Sequence, residues 1–284
     1  MGKNSKRKRI LSFLLILFLG FIVFVVFSHI RPMLPHSIDL GCRIGAVLTL
    51  LLFAMIAKNS RRFKEYEAVL FAFSIAMIVT SVDLYLPSST WILKALNISI
   101  NTPAGIALDK LDSSLLIILL IIFFTKFFGG TLESIYLKKG NLKNGLLIGI
   151  PAFAISIAGS YFVAIAFGAQ NLSLQRIVPW IPWILIFIFG NAMNEELLFR
   201  GLFLGKVEPF LGKFMSNLVL TIPFVLHHTG VTYTGNALVF LIYLIPLSLA
   251  WGYIAQKTDS LLGSVLFHAG TDIPVVLVIF AGLS

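Results

Sequence analysis

The chain has 284 residues, 58% hydrophobic and 12% charged, with a net charge of +10 and a mean hydropathy of +0.96. A water-soluble domain carries about 25% charged residues, so this composition, with its repeated apolar runs, excludes one and predicts an all-α, polytopic helical membrane protein. The runs do not alternate as transmembrane β-strands do, and the basic residues lie in alternate loops rather than in one patch, which excludes a nucleic-acid partner.

The apolar runs predict nine spans, at 10–28, 41–57, 67–86, 113–129, 143–168, 178–203, 213–232, 236–256 and 260–282, or eight if one of them does not cross. Lys3, Lys6, Arg7, Lys8 and Arg9 precede the first. That run exceeds a signal core of about 7–15 residues and no small-x-small cleavage site follows, so it reads as a retained span with a cytoplasmic N-terminus. Nine spans put seventeen Lys and Arg inside, at the N-terminus and near 58–64, 126–143, 200–213 and 257, against five outside, Arg31, Arg43, Lys94, Lys110 and Arg176. The asymmetry favours this orientation.

Cys42, the one cysteine, has no disulfide partner and no neighbouring base, and reads as a small packing residue of the second span. Asp83 sits near an outer span end and reads as interfacial, and the segment 87–112 reads as an outside loop or short interfacial helix. Asn97-Ile-Ser99 and Asn171-Leu-Ser173 match the glycosylation triplet, a pattern common by chance. Gly129-Gly130 and the segment Tyr136–Asn144 mark a cytoplasmic turn. The expected organisation is an N-terminal unit, 1–112, with three spans, and a C-terminal unit, 113–284, that holds the acid-and-histidine chemistry.

That chemistry begins at Glu195-Glu196, two carboxylates in a span, where acids are costly and mark function. Glu196 and Arg200 are four residues apart and share a helical face. The arginine therefore neutralises Glu196, and Glu195, rotated by about 100°, faces elsewhere. Asn191 and Asn194 extend the polar face. The next span carries His227-His228 after Pro223, which kinks the helix, and the last carries His268 and Asp272, again four apart. One free carboxylate, histidines on two further spans and a second acid suit hydrolysis, with the carboxylate as base toward a water and the histidines polarising the carbonyl. The same groups also suit a zinc ion. A non-catalytic membrane scaffold or immunity protein, and a proton-coupled transporter using the acids and histidines as a relay, are the alternatives. No inverted repeat accompanies the latter.

Glu195-Glu196-x-x-x-Arg200, Phe224-x-x-x-His228 and His268-x-x-x-Asp272 resemble the three ordered motifs of the CAAX protease and bacteriocin-processing family (CPBP, also called Abi), whose eukaryotic members are type II CAAX prenyl endopeptidases. The resemblance covers about 178–276, and the run Gly130–Glu133 to Gly145 is similar to a lead-in segment of prokaryotic members. It implies an intramembrane endopeptidase with Glu195 activating a water, Glu196 and Arg200 in support, His228 as the second-motif histidine, and His268 with Asp272 on the oxyanion side. Asp272 stands where eukaryotic members usually have asparagine, so it is expected to be protonated or to orient His268. No cofactor is expected; zinc, if bound, would sit on Glu195, His228 and His268. The implied partners are the bilayer and a membrane-associated peptide or protein, not necessarily prenylated, in a prokaryotic plasma membrane. Glu195 is expected near mid-depth, in a polar cavity open to the cytoplasm.

Overall fold

A computed structural model describes the backbone of residues 3–283 and the side chains of residues 6–283; residues 1, 2 and 284, at the ends of the two expected units, and the Lys3 side chain lie outside that description. Among the described residues there are no strands and eleven α-helices: α1 Lys3–Phe21, α2 His36–Asn59, α3 Glu67–Tyr85, α4 Ser88–Leu96, α5 Pro103–Phe127, α6 Leu142–Ala166, α7 Leu174–Glu195, α8 Leu204–Leu211, α9 Lys213–His227, α10 Ala237–Thr258 and α11 Leu262–Ala281. Two π-helical turns interrupt this pattern. One, Ile22–Val26, continues α1, and the other, Glu196–Gly201, joins α7 to α8.

Local chemistry sets several boundaries. Pro103 opens α5 behind Thr102, whose hydroxyl accepts from the Gly105 amide at 3.0 Å, satisfying one of the helix's orphan donors. Asn141 caps α6 in the same way, accepting from Asn144 N–H at 3.1 Å. Among the described residues, seven helical stretches are long and apolar enough to cross a membrane: Lys6–Val26, His36–Asn59, Lys64–Leu96, Leu142–Ala166, Leu174–Leu211, Ala237–Thr258 and Leu262–Ala281. Two of the nine expected spans fall short of that standard. The 113–129 run is the second half of α5, whose first half carries Asp109, Lys110 and Asp112. The 213–232 run becomes the 15-residue α9, about 22 Å long at 1.5 Å per residue.

The connections gather at two ends of the bundle. At one end the ion pair Lys8–Glu65 (2.8 Å), the stacked rings of Tyr66 and Phe210, and the bonds Lys206 Nζ–Ser134 O (3.0 Å) and Asn141 N–Thr258 O (2.6 Å) join the basic loops. At the other, Asn236 and Thr234 donate to the Ala166 and Phe167 carbonyls, both at 2.9 Å, and Ser28 lies 3.1 Å from the His227 ring. Arg43, expected in an outside loop position, is inside α2. It is buried against Asp39 at 2.6 Å and donates to the Phe27 and Ser28 carbonyls.

α11 packs most extensively on α6, and α7 on α5. At Gly270 the backbone of α11 comes so near α6 that an added Cβ would lie 2.9 Å from Ser156 Cβ and 3.0 Å from Phe153 Cα, the close approach small residues give membrane helices. Large apolar side chains on the outer faces, such as Leu48 and Leu52 of α2, Phe162 of α6 and Leu238 of α10, are exposed, as lipid-facing positions are. Cys42 shares that outer surface of α2 and is exposed rather than packed.

Candidate active site

Glu195 is the last residue of α7 and lies near the middle of the 38-residue stretch Leu174–Leu211. The helix runs on past it to Leu211, beyond the end of the 178–203 span expected from the sequence. At the π-turn that follows, Leu202 N–H bonds to Leu197 O at 2.9 Å, five residues back. Such turns are frequent at functional sites. Glu196 points away from Glu195 into a fully buried environment: Arg200 Nη1 donates to Glu196 Oε1 at 3.0 Å, and Arg200 Nη2 donates to Ser248 Oγ at 2.6 Å and Ser248 O at 3.2 Å. Ser248 in turn donates to Thr221 Oγ1 at 3.0 Å. The guanidinium is also 4.5 Å from the Phe224 ring centroid and 5.3 Å from that of Trp251. The expected division into a paired Glu196 and a separate Glu195 is the arrangement found.

The two motif histidines come to Glu195 from opposite sides. His228 begins the 3₁₀ turn after α9, and its Nδ1 lies 2.8 Å from the Phe224 carbonyl. A carbonyl only accepts, so Nδ1 carries the proton. The other nitrogen, Nε2, faces Glu195 Oε1 at 3.7 Å. His268 Nδ1 donates to Glu196 Oε1 at 2.8 Å, and its Nε2 faces Glu195 Oε2 at 3.6 Å and Asp272 Oδ1 at 3.5 Å. Glu196 thus holds His268 as well as Arg200. Asp272 is fixed by Asn191, which donates to its Oδ2 at 3.0 Å. Trp251 stacks face to face on His268, with centroids 3.7 Å apart and planes 6° from parallel. His227 faces the other way, toward the Phe24 carbonyl at 2.8 Å and the His29 ring at 4.8 Å, and takes no part. All six residues singled out in the sequence therefore meet. Asp83, read as interfacial, does not line the site.

Sequence reasoning missed Trp251, Ser248, Thr221 and Phe224's place beneath the guanidinium. An unremarked serine or tryptophan in an apolar run gives no periodic signal. It also missed Tyr233 and Lys110, which line the cavity above Glu195. Tyr233 sits in the loop after α9, where burial, and then the charges of Glu195 and Asp272, push its hydroxyl pKa well above the ordinary value.

The cavity has a volume of about 340 Å³, within the range of small binding sites. Glu195, His228, His268 and Asp272 line it, with apolar walls from Phe187, Phe240, Tyr243, Leu244 and Ile279. The expected opening toward the basic loops is not found. The outer walls include Ile30, Gly230, Val231, Thr232 and Tyr233, from the turns at the opposite end. On the basic side Phe199, Leu202, Phe203, Leu204 and Val207 are all buried and fill the space.

The donor set of Glu195, His228 and His268 is of the kind zinc takes, but the two imidazoles approach different oxygens of Glu195 and His268 Nε2 is shared with Asp272. Among the described residues no group of three His, Cys, Asp or Glu side chains is arranged to hold a metal ion.

No curated protein and no solved structure matches the chain. Residues 177–274, from α7 to the middle of α11, match the sequence model of the family described as type II CAAX prenyl endopeptidase Rce1-like. That stretch, about a third of the chain, carries all three motifs and is similar to this family.

Proposed function

We propose that the protein is an intramembrane endopeptidase that hydrolyses peptide bonds of membrane-associated substrates through a water activated by Glu195. The observation that carries this reading is a carboxylate with no ion-pair partner of its own kind of closeness: Glu196 has Arg200 at 3.0 Å, whereas Glu195 has only two imidazole nitrogens, at 3.7 and 3.6 Å, and faces a cavity. Those distances are too long for hydrogen bonds, and a water on the cavity side of the Glu195–His228 pair can reach both groups.

Glu195 and the unprotonated Nε2 of His228 both accept, so a water beside the pair donates both hydrogens and turns a lone pair toward the cavity. Attack on a peptide carbonyl forms the new C–O bond while Glu195 takes the water proton. His268, with Nδ1–H committed to Glu196, presents Nε2 to the developing oxyanion; an N–H there stabilises it. Collapse breaks the C–N bond, and the proton on Glu195 passes to the leaving amine. Asp272, fixed by Asn191, orients His268 and balances its charge. The reading is metal-free, and its support is the divergent approach of the two imidazoles.

The test is cleavage of a palmitoylated, quenched fluorescent peptide by the full chain in proteoliposomes. Glu195→Gln and His228→Ala are each expected to abolish cleavage while the protein still inserts and melts normally; wild-type turnover in either ends the assignment. Purified protein is expected to hold less than one zinc per chain. Activity lost on chelation and restored by zinc alone would overturn the metal-free mechanism.

A further inference from the structure

The cavity and the charge of the loops lie at opposite ends of the bundle. Segments 58–66, 126–143 and 206–213 carry ten Lys and Arg, whereas 27–35, 86–102, 167–176 and 228–236 carry three. The contacts described above bring the first set together at one end and much of the second together at the other. Short basic loops stay on the cytoplasmic side, which makes the second end the non-cytoplasmic one.

Every loop residue that lines the cavity, Ile30 and Gly230 to Tyr233, comes from that second end. Phe240, near the start of α10, and Ile279, near the end of α11, line its walls and belong to the same end. Its floor is Trp251, Phe224 and His268. Below the floor the Glu196–Arg200 pair and the buried Phe199, Phe203 and Val207 close the way to the basic loops. A peptide approaching from the cytoplasm would have to cross that packed layer; one approaching from the other face meets an open mouth.

We propose that the site is entered from the non-cytoplasmic face, so that its substrates are peptide segments tethered in or emerging from the outer leaflet after translocation, and not cytosolic C-terminal sequences. The apolar walls suit a lipid-embedded segment, and Lys110, whose ammonium lies 5.6 Å from the Phe187 ring centroid, supplies one cation beside an otherwise acidic set. This rests on the endopeptidase reading for what is cleaved, but not for which face is open.

The experiment separates the two. In a Cys42→Ser background, full-length chains carrying Thr232→Cys at the mouth or Lys139→Cys at the basic end are expressed in bacterial cells and treated with a membrane-impermeant maleimide. Both positions are exposed. Thr232→Cys is expected to label in intact spheroplasts, and Lys139→Cys only after permeabilisation. The reverse pattern, or labelling of both in intact spheroplasts, overturns the proposal. In proteoliposomes sorted by Lys139→Cys accessibility, the anchored peptide added outside is expected to be cleaved at least tenfold faster when the basic end is in the lumen. Cleavage from the basic side alone also overturns the proposal. The predicted labelling with no cleavage from either side leaves the open face standing and removes the endopeptidase reading.

Discussion

Arg200 is the buried charge whose removal has the most calculable effect. Its guanidinium is 2% exposed and Glu196 is wholly buried, so neither can turn to water if the other is lost. At an effective dielectric of about 20, unit charges about 4 Å apart attract by about 4 kcal/mol, and breaking a buried pair by removing one partner costs about 3–5 kcal/mol. Glu196→Gln leaves Arg200 with its two bonds to Ser248 but no anion. Arg200→Met leaves Glu196 with only the Nδ1–H of His268. Each single variant is expected to lose about 3–5 kcal/mol, a drop of about 10 °C in melting temperature at about 2–4 °C per kcal/mol. The double variant is expected to recover most of that loss, because the uncompensated charge is gone. Tryptophan fluorescence melts in detergent, run on all four members of the cycle, read the coupling. Losses that simply add in the double variant, or an Arg200→Met cost below about 1 kcal/mol, would refute the argument that this pair is held by desolvation and mutual charge.

Gly270→Ala is expected to separate α11 from α6 and to lower stability by about 1–3 kcal/mol, since the added methyl meets backbone at 3.0 Å; an unchanged melt contradicts the packing described. Asp272→Asn keeps an acceptor for Asn191 and is expected to retain cleavage within about tenfold, a change of about 1.4 kcal/mol, whereas Asp272→Leu is expected to lose it; equal turnover in the two would show that no polar group is needed there. His29, in the turn after the first span, has its pKa lowered to about 3 by burial and then by the Lys110 charge, and its Nδ1 is buried with no partner. The folded state holds it neutral, so its contribution is complete above about pH 6.5 and falls as pH drops from there toward 3, by at most about 1.4 kcal/mol per unit. The melting temperature of wild type is therefore expected to fall more steeply between pH 6.5 and 4.5 than that of His29→Phe, and parallel slopes would contradict it.

Four of the site residues that the sequence disclosed share one property: they are ionisable groups paired at a spacing of four inside apolar runs. Glu196 and Arg200, and His268 and Asp272, are of this type, and each pair shares a helical face as the spacing requires. Asp39 and Arg43 carry the same signal and form a pair 2.6 Å apart. The place of Arg43 at the margin of a run made it read as an outside charge, and Asp39 drew no reading, although both are buried. Ser248, Thr221 and Trp251 were not legible because a hydroxyl or indole in a hydrophobic helix acquires its role only from what a different helix places beside it. The bounds of one expected span shifted for a related reason. Hydropathy registers that 213–232 is apolar, but not that the helix ends at His227 to turn His228 toward Glu195. The direction of the opening depends on which flank of the site is filled by Phe199 and Phe203, a property of packing that no local pattern encodes.

The network around Glu196 is drawn from four helices spread along the chain: the carboxylate and guanidinium follow α7, Thr221 comes from α9, Ser248 from α10 and His268 from α11. During synthesis these arrive in that order. When the ribosome has delivered α10, Arg200 has all its partners, but Glu195 still faces one imidazole rather than two, and Trp251 has no ring to stack on. The machinery is completed only when Leu262–Ala281 is inserted against α6. On the endopeptidase reading, a nascent chain is therefore inert toward its neighbours in the translocation channel until α11 is in place, and docking of that helix against α6 is the step that switches it on.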